Sequence, residues 1–156
     1  MAIWQFSLQL IPKGAPTPVV GPDGFDVAPS WKGFSTGVDM RDRLKQQFSD
    51  AREVLPGWLQ WGQEDGNSID GIVEDGEFHE LSARLDARTD HDSFVQFLCE
   101  FATAIDCRFF CPEFSSMIEP NPSRLRSEIA QSRAALWHTN PVAVLERARK
   151  QRNNAS

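Results

Sequence analysis

Hydrophobic and polar positions alternate over residues 3–11. Trp4, Phe6, Leu8 and Leu10 fall on one side, and Gln5, Ser7 and Gln9 on the other. A period of two predicts a strand with one buried face, and Pro12 closes it. The same period returns near the middle of the chain. There His79, Leu81, Ala83, Leu85 and Ala87 oppose Glu80, Ser82, Arg84, Asp86 and Arg88. Shorter strand-like runs at 58–61 and 68–73 come before it, punctuated by Asp65-Gly66 and Asp75-Gly76. Asp-Gly suits tight hairpin turns, because glycine accepts positive φ and aspartate tolerates it. A three-stranded meander over 58–87 follows.

Elsewhere the period is helical. Met40, Leu44, Phe48 and Ala51 form one stripe. Asp39 is placed to cap that helix and Asp42 lies in its first turn, so the spacing predicts a helix over roughly 39–54, closed by Pro56-Gly57. Phe94, Phe97, Leu98, Phe101 and Ile105 make a heavier stripe, capped by Thr89 or Asp90 and expected to lie on the apolar face of the meander. Two short strands are expected at 108–111 and 114–118, interrupted by Pro112. Asn121-Pro122 and Asn140-Pro141 each open a helix, since Asn caps and Pro loses nothing at the first turn. Leu125, Ile129 and Leu136 line the first of these helices, and Val144, Leu145 and Ala148 the second.

The order predicts an α+β fold. It has an antiparallel sheet, built from the central meander and the N-terminal strand, with helices packed mainly on one face. Residues 1–156 read as a single domain. Residues 12–37, with five Pro and five Gly, read as a long coil pinned by Trp31 and Phe34, either a binding loop or a packed cover for the sheet. Residues 151–156 read as a frayed tail.

Composition changes this picture in one respect. The chain has 156 residues and a formal net charge of −6, but the charge is uneven. Residues 60–120 carry fourteen acidic and three basic groups, whereas residues 121–156 carry two acidic and seven basic groups. A middle segment at −11 repels a phosphate backbone, which argues against nucleic acid as partner. It attracts basic proteins or cations instead. Cys99, Cys107 and Cys111 are odd in number and form no CxxC pair. Core thiols in a reducing compartment fit them better than disulfides. No basic leader precedes an apolar run at the N-terminus, and no run approaches the ~20 apolar residues of a membrane span. A soluble cytoplasmic protein is expected.

The carboxylate-rich stretch QEDGNSIDGIVEDGEF (63–78) invites comparison with a calcium loop and fails it. Counted from Asp65, the fifth position is Ile69, the sixth Asp70 and the twelfth Gly76, whereas an EF-hand needs an oxygen ligand, a glycine and a glutamate there. Turns explain the stretch better. His79, Asp90 and His91 are the best candidate metal ligands by type, with Asp92 beside them and poor spacing between them. Arg84 and Arg88 make either a fork for an anion or a salt-bridge ladder with Asp86 between them. No nucleophile elbow and no phosphate-binding glycine loop is present, and no cofactor is implied. Trp31, Trp61 and Phe34 form either an exposed aromatic anchor or buried packing.

The leading expectation is a protein that acts by protein–protein contact through an acidic surface, neutralising or inhibiting a basic partner such as an enzyme or toxin. The surface expected comprises Trp31, Trp61, Asp65, Asp75, Glu80, Arg84, Asp86 and Arg88. Two alternatives stand beside it: a small metal-dependent hydrolase using His79, Asp90 and His91, and a structural subunit of a homo-oligomer.

Overall fold

The computed structural model describes residues 2–34 and 39–155. The expectations for 35–37 of the coil and for Ser156 of the tail lie outside the described residues. The chain runs through β1 (Gln5–Pro12), the coil, one helical turn α1 (Ala28–Trp31), α2 (Met40–Phe48), β2 (Arg52–Leu55) and β3 (Trp58–Gly62). It continues through β4 (Ser68–Glu74), β5 (Glu77–Asp86), α3 (Asp92–Ala104), β6 (Cys107–Cys111) and β7 (Ser116–Ile118). Three helices finish it: α4 (Pro122–Gln131), α5 (Arg133–Thr139) and α6 (Pro141–Asn154).

The strands form one antiparallel sheet in the order β2-β3-β4-β5-β1-β6-β7. The expected meander is β3-β4-β5, and the N-terminal strand enters beside β5 with Phe6 opposite Leu85 and Leu8 opposite Ala83. That register puts the apolar sides of both strands on one face, and the helices cover it. Leu81, Ala83, Leu85, Ile69, Trp61 and Phe109 of the sheet meet Leu44, Phe94, Leu98, Phe101, Leu125 and Ile129 of the helices in one core. Each fully buried side chain of this size contributes roughly 1.5–3 kcal/mol, so the α3 stripe is the largest single source of stability. A smaller cluster sits on the other face, where Phe25 and Val27 of the coil cover Ile11, Phe110 and Met117. The coil is thus packed cover at that point, while Val19 and Val20 remain exposed.

Several boundaries differ from the sequence reading. The expected helix over 39–54 ends at Phe48. Ser49 adopts φ 75° and its N–H bonds the Lys45 carbonyl, which terminates the helix. Residues 52–55 instead pair with β3 as an edge strand. Pro56-Gly57, read as a helix stop, is the two-residue turn of that hairpin, with Gly57 at φ 81°. A side chain there would lie 2.6 Å from the Val73 carbonyl oxygen, so glycine is required for space as well as conformation. The helix opened by Asn121 does not run through Leu136. Ser132 breaks it: its Oγ donates to the Ile129 carbonyl at 2.6 Å and accepts the Ala135 N–H at 3.2 Å, ending α4 and starting α5. Asn121 and Asn140 cap α4 and α6 as expected, through Arg124 N–H and Ala143 N–H. The cap expected for α3 is absent. His91 occupies that position with its ring Nδ1 on the Thr89 carbonyl and no capping bond to the helix, and the Asp90 carboxylate accepts Asp92 N–H instead. α6 runs on to Asn154, beyond the expected start of a frayed tail.

Candidate functional site

The two Asp-Gly pairs, expected as equivalent turns, behave differently. Asp75 and Gly76 have φ of 52° and 79° and close β4 onto β5 in a two-residue turn, with Glu74 opposite Glu77. Asp65-Gly66 sits in a five-residue loop, 63–67, closed by Gln63 N–H to the Asn67 carbonyl at 3.0 Å, and the positive φ falls on Gly62. The loop does gather its oxygens around donors, but the donors belong to the chain. Gln5 Nε2 donates to the Glu64 and Gly66 carbonyls, and Trp4 Nε1 and an Arg88 amino group donate to the Asp65 carbonyl. Asn67 Oδ1 accepts Asp86 N–H. The loop is thereby pinned to β1 and to the end of β5.

Asp65 and Asp75 do not form one edge. They lie beyond opposite ends of β4, whose seven residues span roughly 20 Å. At the Asp65 end, Arg88 binds both carboxylate oxygens of Asp86 at 3.0 Å and lies 3.9 Å over the Trp4 ring. Burial alone would raise the Asp86 pKa, but the side-chain and backbone hydrogen bonds from Arg88 outweigh it, and the carboxyl titrates below its ordinary range. The Asp86 carboxylate in turn raises the Arg88 pKa.

Between the two ends, the open face of the sheet carries a polar network that sequence reasoning did not assemble. The bulge between Ile72 and Val73 shifts the hairpin register so that Asp70 faces Ser82 and Ser68 faces Arg84. Arg84 therefore reaches diagonally to both Asp70 oxygens, at 2.9 and 3.1 Å. Trp58 Nε1 donates to the same carboxylate at 2.9 Å, and Gln60 and Ser68 donate to it from the neighbouring strand and its own. Gln60 also accepts from Arg52. Glu80 accepts Gln9 Nε2 at 3.0 Å. Asp70 is 9% exposed and its donors are largely spent on it. Of the two readings of Arg84 and Arg88, the anion fork is closed and the salt-bridge one holds for Arg88 on Asp86, while Arg84 is held by Asp70 instead: each guanidinium holds an internal carboxylate. The signal in the sequence was a carboxylate five residues before the Asp75-Gly76 turn, which pairing across the turn brings near the arginine face.

The aromatic anchors are also redirected. Trp31 and Trp61 are 3% and 2% exposed, so neither is a surface anchor. Trp31 packs edge-on against Phe34 at 5.5 Å between centroids, and its buried Nε1 has no partner among the described residues. The metal alternative is not supported by position. His79 sits at the β5 bulge, 3.8 Å from Glu74, while Asp90 and His91 follow the far end of the same strand. Among the described residues, no group of three or more His, Cys, Asp or Glu side chains is close enough to hold a metal ion. All three cysteines are buried, and burial pushes their thiols up to about 11 for Cys99 and Cys111 and about 12 for Cys107. Thiols of that kind are poor nucleophiles.

What the structure does create is an acidic recess of about 550 Å³ between residues 26–32 and the β4–β5 turn. Asp26, Glu74, Asp75 and Glu77 ring it, Trp31 and Phe78 supply aromatic wall, and Lys32 and His79 also line it. Phe78 already receives one guanidinium, Arg41, 5.9 Å from its centroid. The recess combines carboxylates with an aromatic surface, the combination that recognises an organic cation.

No family model, no curated protein and no solved structure matches this chain. Among the described residues, no helix is long and apolar enough to cross a membrane.

Proposed function

We propose that this protein acts by protein–protein contact, receiving a basic partner on the acidic end of the sheet around Asp75. The recess bounded by Asp26, Glu74, Asp75 and Glu77 carries the reading. Four carboxylates there face one lysine, and among the described residues His79 is the only other titratable group lining the recess. The electrostatic background supports it. Of the three cations in the −11 segment, Arg84 and Arg88 are held by Asp70 and Asp86. The remaining carboxylates present a field that steers a cationic surface inward. Inhibiting or neutralising a basic enzyme or toxin is the role that suits such a surface, because capping a cationic active face needs charge complementarity and no chemistry.

The test is a titration with an arginine- and lysine-rich oligopeptide over a salt series. Affinity is expected to fall steeply as ionic strength rises and to drop at least tenfold in Asp75→Lys/Glu77→Lys. A control variant, Asp90→Lys/Glu119→Lys, carries the same change in net charge at exposed positions away from the recess. Equal losses in the two variants would reduce the effect to net charge and remove the recess from the account.

A further inference from the structure

β1 has a paired strand on both sides only at Gln9. Its pairing with β5 covers Gln5 to Gln9, while its pairing with β6 begins at Gln9 and runs to Pro12. The ladder pattern tells which backbone groups face the gap. Ala87 N–H bonds the Trp4 carbonyl, and Lys13 N–H bonds the Asp106 carbonyl. Even-numbered residues of β1 therefore turn their N–H and C=O towards β5, and odd-numbered residues turn theirs towards the β6 side. Gln5 and Ser7 are odd-numbered and have no β6 residue opposite them. Continuing the register places Pro112 opposite Ser7. Proline has no N–H to give, and the Pro112 carbonyl accepts Ser115 N–H as the chain turns away. The Gln5 N–H is absorbed by the Ala2 carbonyl. The Ser7 N–H, the Ser7 carbonyl and the Gln5 carbonyl have no backbone partner among the described residues.

These three groups open into a groove of about 480 Å³. Its apolar walls come from Ile3, Phe25 and Val144, and the Glu113–Arg133 ion pair stands at its margin. Ile3 is 47% exposed, so its side chain is available to an occupant of the groove. We propose that this groove binds an extended peptide segment by strand addition to β1. The occupant is defined by the backbone groups it must satisfy. A donor and an acceptor on one residue, followed by a lone acceptor two residues back, match the main chain of a single extended strand. The extended part of this edge, Gln5 to Ser7, takes about three residues of that strand, roughly 10 Å, and the turn at Ile3 bounds it. Alternate residues of the segment would be apolar, to meet Ile3, Phe25 and Val144. A second copy of this chain fits less well. α5 and the coil flank the groove, so a broad sheet edge is kept from approaching while a single strand can enter. The inference is independent of the acidic recess.

The test uses the full chain, labelled with ¹⁵N, and the blocked peptide acetyl-Val-Thr-Val-Thr-Val-amide. On titration the Ser7 amide resonance is expected to shift, and its hydrogen exchange to slow at least tenfold at saturation. The same peptide N-methylated at its central valine, which removes a donor and leaves the side chains intact, is expected to bind at least tenfold more weakly. Ser7→Pro removes an N–H that bonds nothing in the fold, and proline is tolerated where the N–H of an edge strand faces outwards. It is expected to fold and to lose peptide binding, and if it fails to fold the N-methyl comparison decides alone. Equal binding of the two peptides, or shifts that leave Ser7 untouched, would overturn the proposal. Self-association that the peptide displaces from the Ser7 edge would overturn the choice of occupant.

Discussion

Asp70→Ala is the most informative single change. The carboxylate accepts from Arg84, Trp58, Gln60 and Ser68. Side-chain exposures of 15% for Arg84 and 12% for Asp70 place the pair near the buried limit. Removing the carboxylate leaves a desolvated guanidinium and three neutral donors without their acceptor. Breaking a buried pair from one side costs about 3–5 kcal/mol, a large part of the 5–15 kcal/mol that stabilises a typical domain. At about 2–4 °C per kcal/mol for a chain of this size, the melting temperature falls by roughly 6–20 °C. Removing the charge as well, in Asp70→Ala/Arg84→Met, restores part of the loss, because only the neutral donors of Trp58, Gln60 and Ser68 stay unpaired. A double-mutant cycle followed by urea denaturation is expected to give a coupling energy of about 1–3 kcal/mol. A loss below about 1 kcal/mol for Asp70→Ala, or strict additivity in the cycle, would refute the reading of this network as one interdependent unit.

Three further outcomes follow from the geometry. Ser132→Ala removes the hydroxyl shared by the end of α4 and the start of α5, and should cost about 0.5–2 kcal/mol by thermal melting, whereas Ser132→Thr should recover most of it. The Asp86 pKa is depressed in the fold. Its contribution to stability is therefore fully present above the unfolded value of 3.8 and is lost as pH falls through the lower folded value. Arg88→Met should accordingly lower stability at neutral pH, with the gap to wild type shrinking on acidification below about pH 4, read from urea midpoints at each pH. The three thiols should resist a thiol-reactive reagent at pH 7 in the native state and react together on unfolding. Fast labelling of any one of them without denaturant would contradict their burial.

The parts of the fold that were legible in the sequence are those set by long periodic patterns. The alternation of β1 and β5 and the stripe of α3 define the sheet, its covered face and the antiparallel α+β class, and Asn-Pro marks two helix starts. Short-range punctuation was less informative. Ala51 extends the spacing of Met40, Leu44 and Phe48, yet Ser49 in a left-handed conformation ends the helix before it, and nothing in the stripe announces that. Pro56-Gly57 suits a helix stop and a hairpin turn equally, and pairing with β3 decides between them. The Asp70 network depends on a one-residue bulge near His79, which no local pattern encodes, so the partner of Arg84 was not visible even though its face was. Trp31 and Trp61 were indistinguishable from surface anchors: Trp31 lies in a stretch without periodicity, and the short run 58–61 puts Trp58 and Trp61 on opposite faces without saying which is covered. The recess at Asp75 required the coil and the hairpin together, two segments over forty residues apart in the sequence.

The most direct measurement of the central claim is a map of where a cationic partner docks. With the chain labelled at its amides and indoles, titration with the arginine- and lysine-rich peptide should move the resonances of Glu74–His79, of residues 26–32 and of the Trp31 indole. The shifts should reverse when salt is added. Shifts that instead spread over Asp90, Glu100 and Glu119, with the Trp31 indole unmoved, would contradict it.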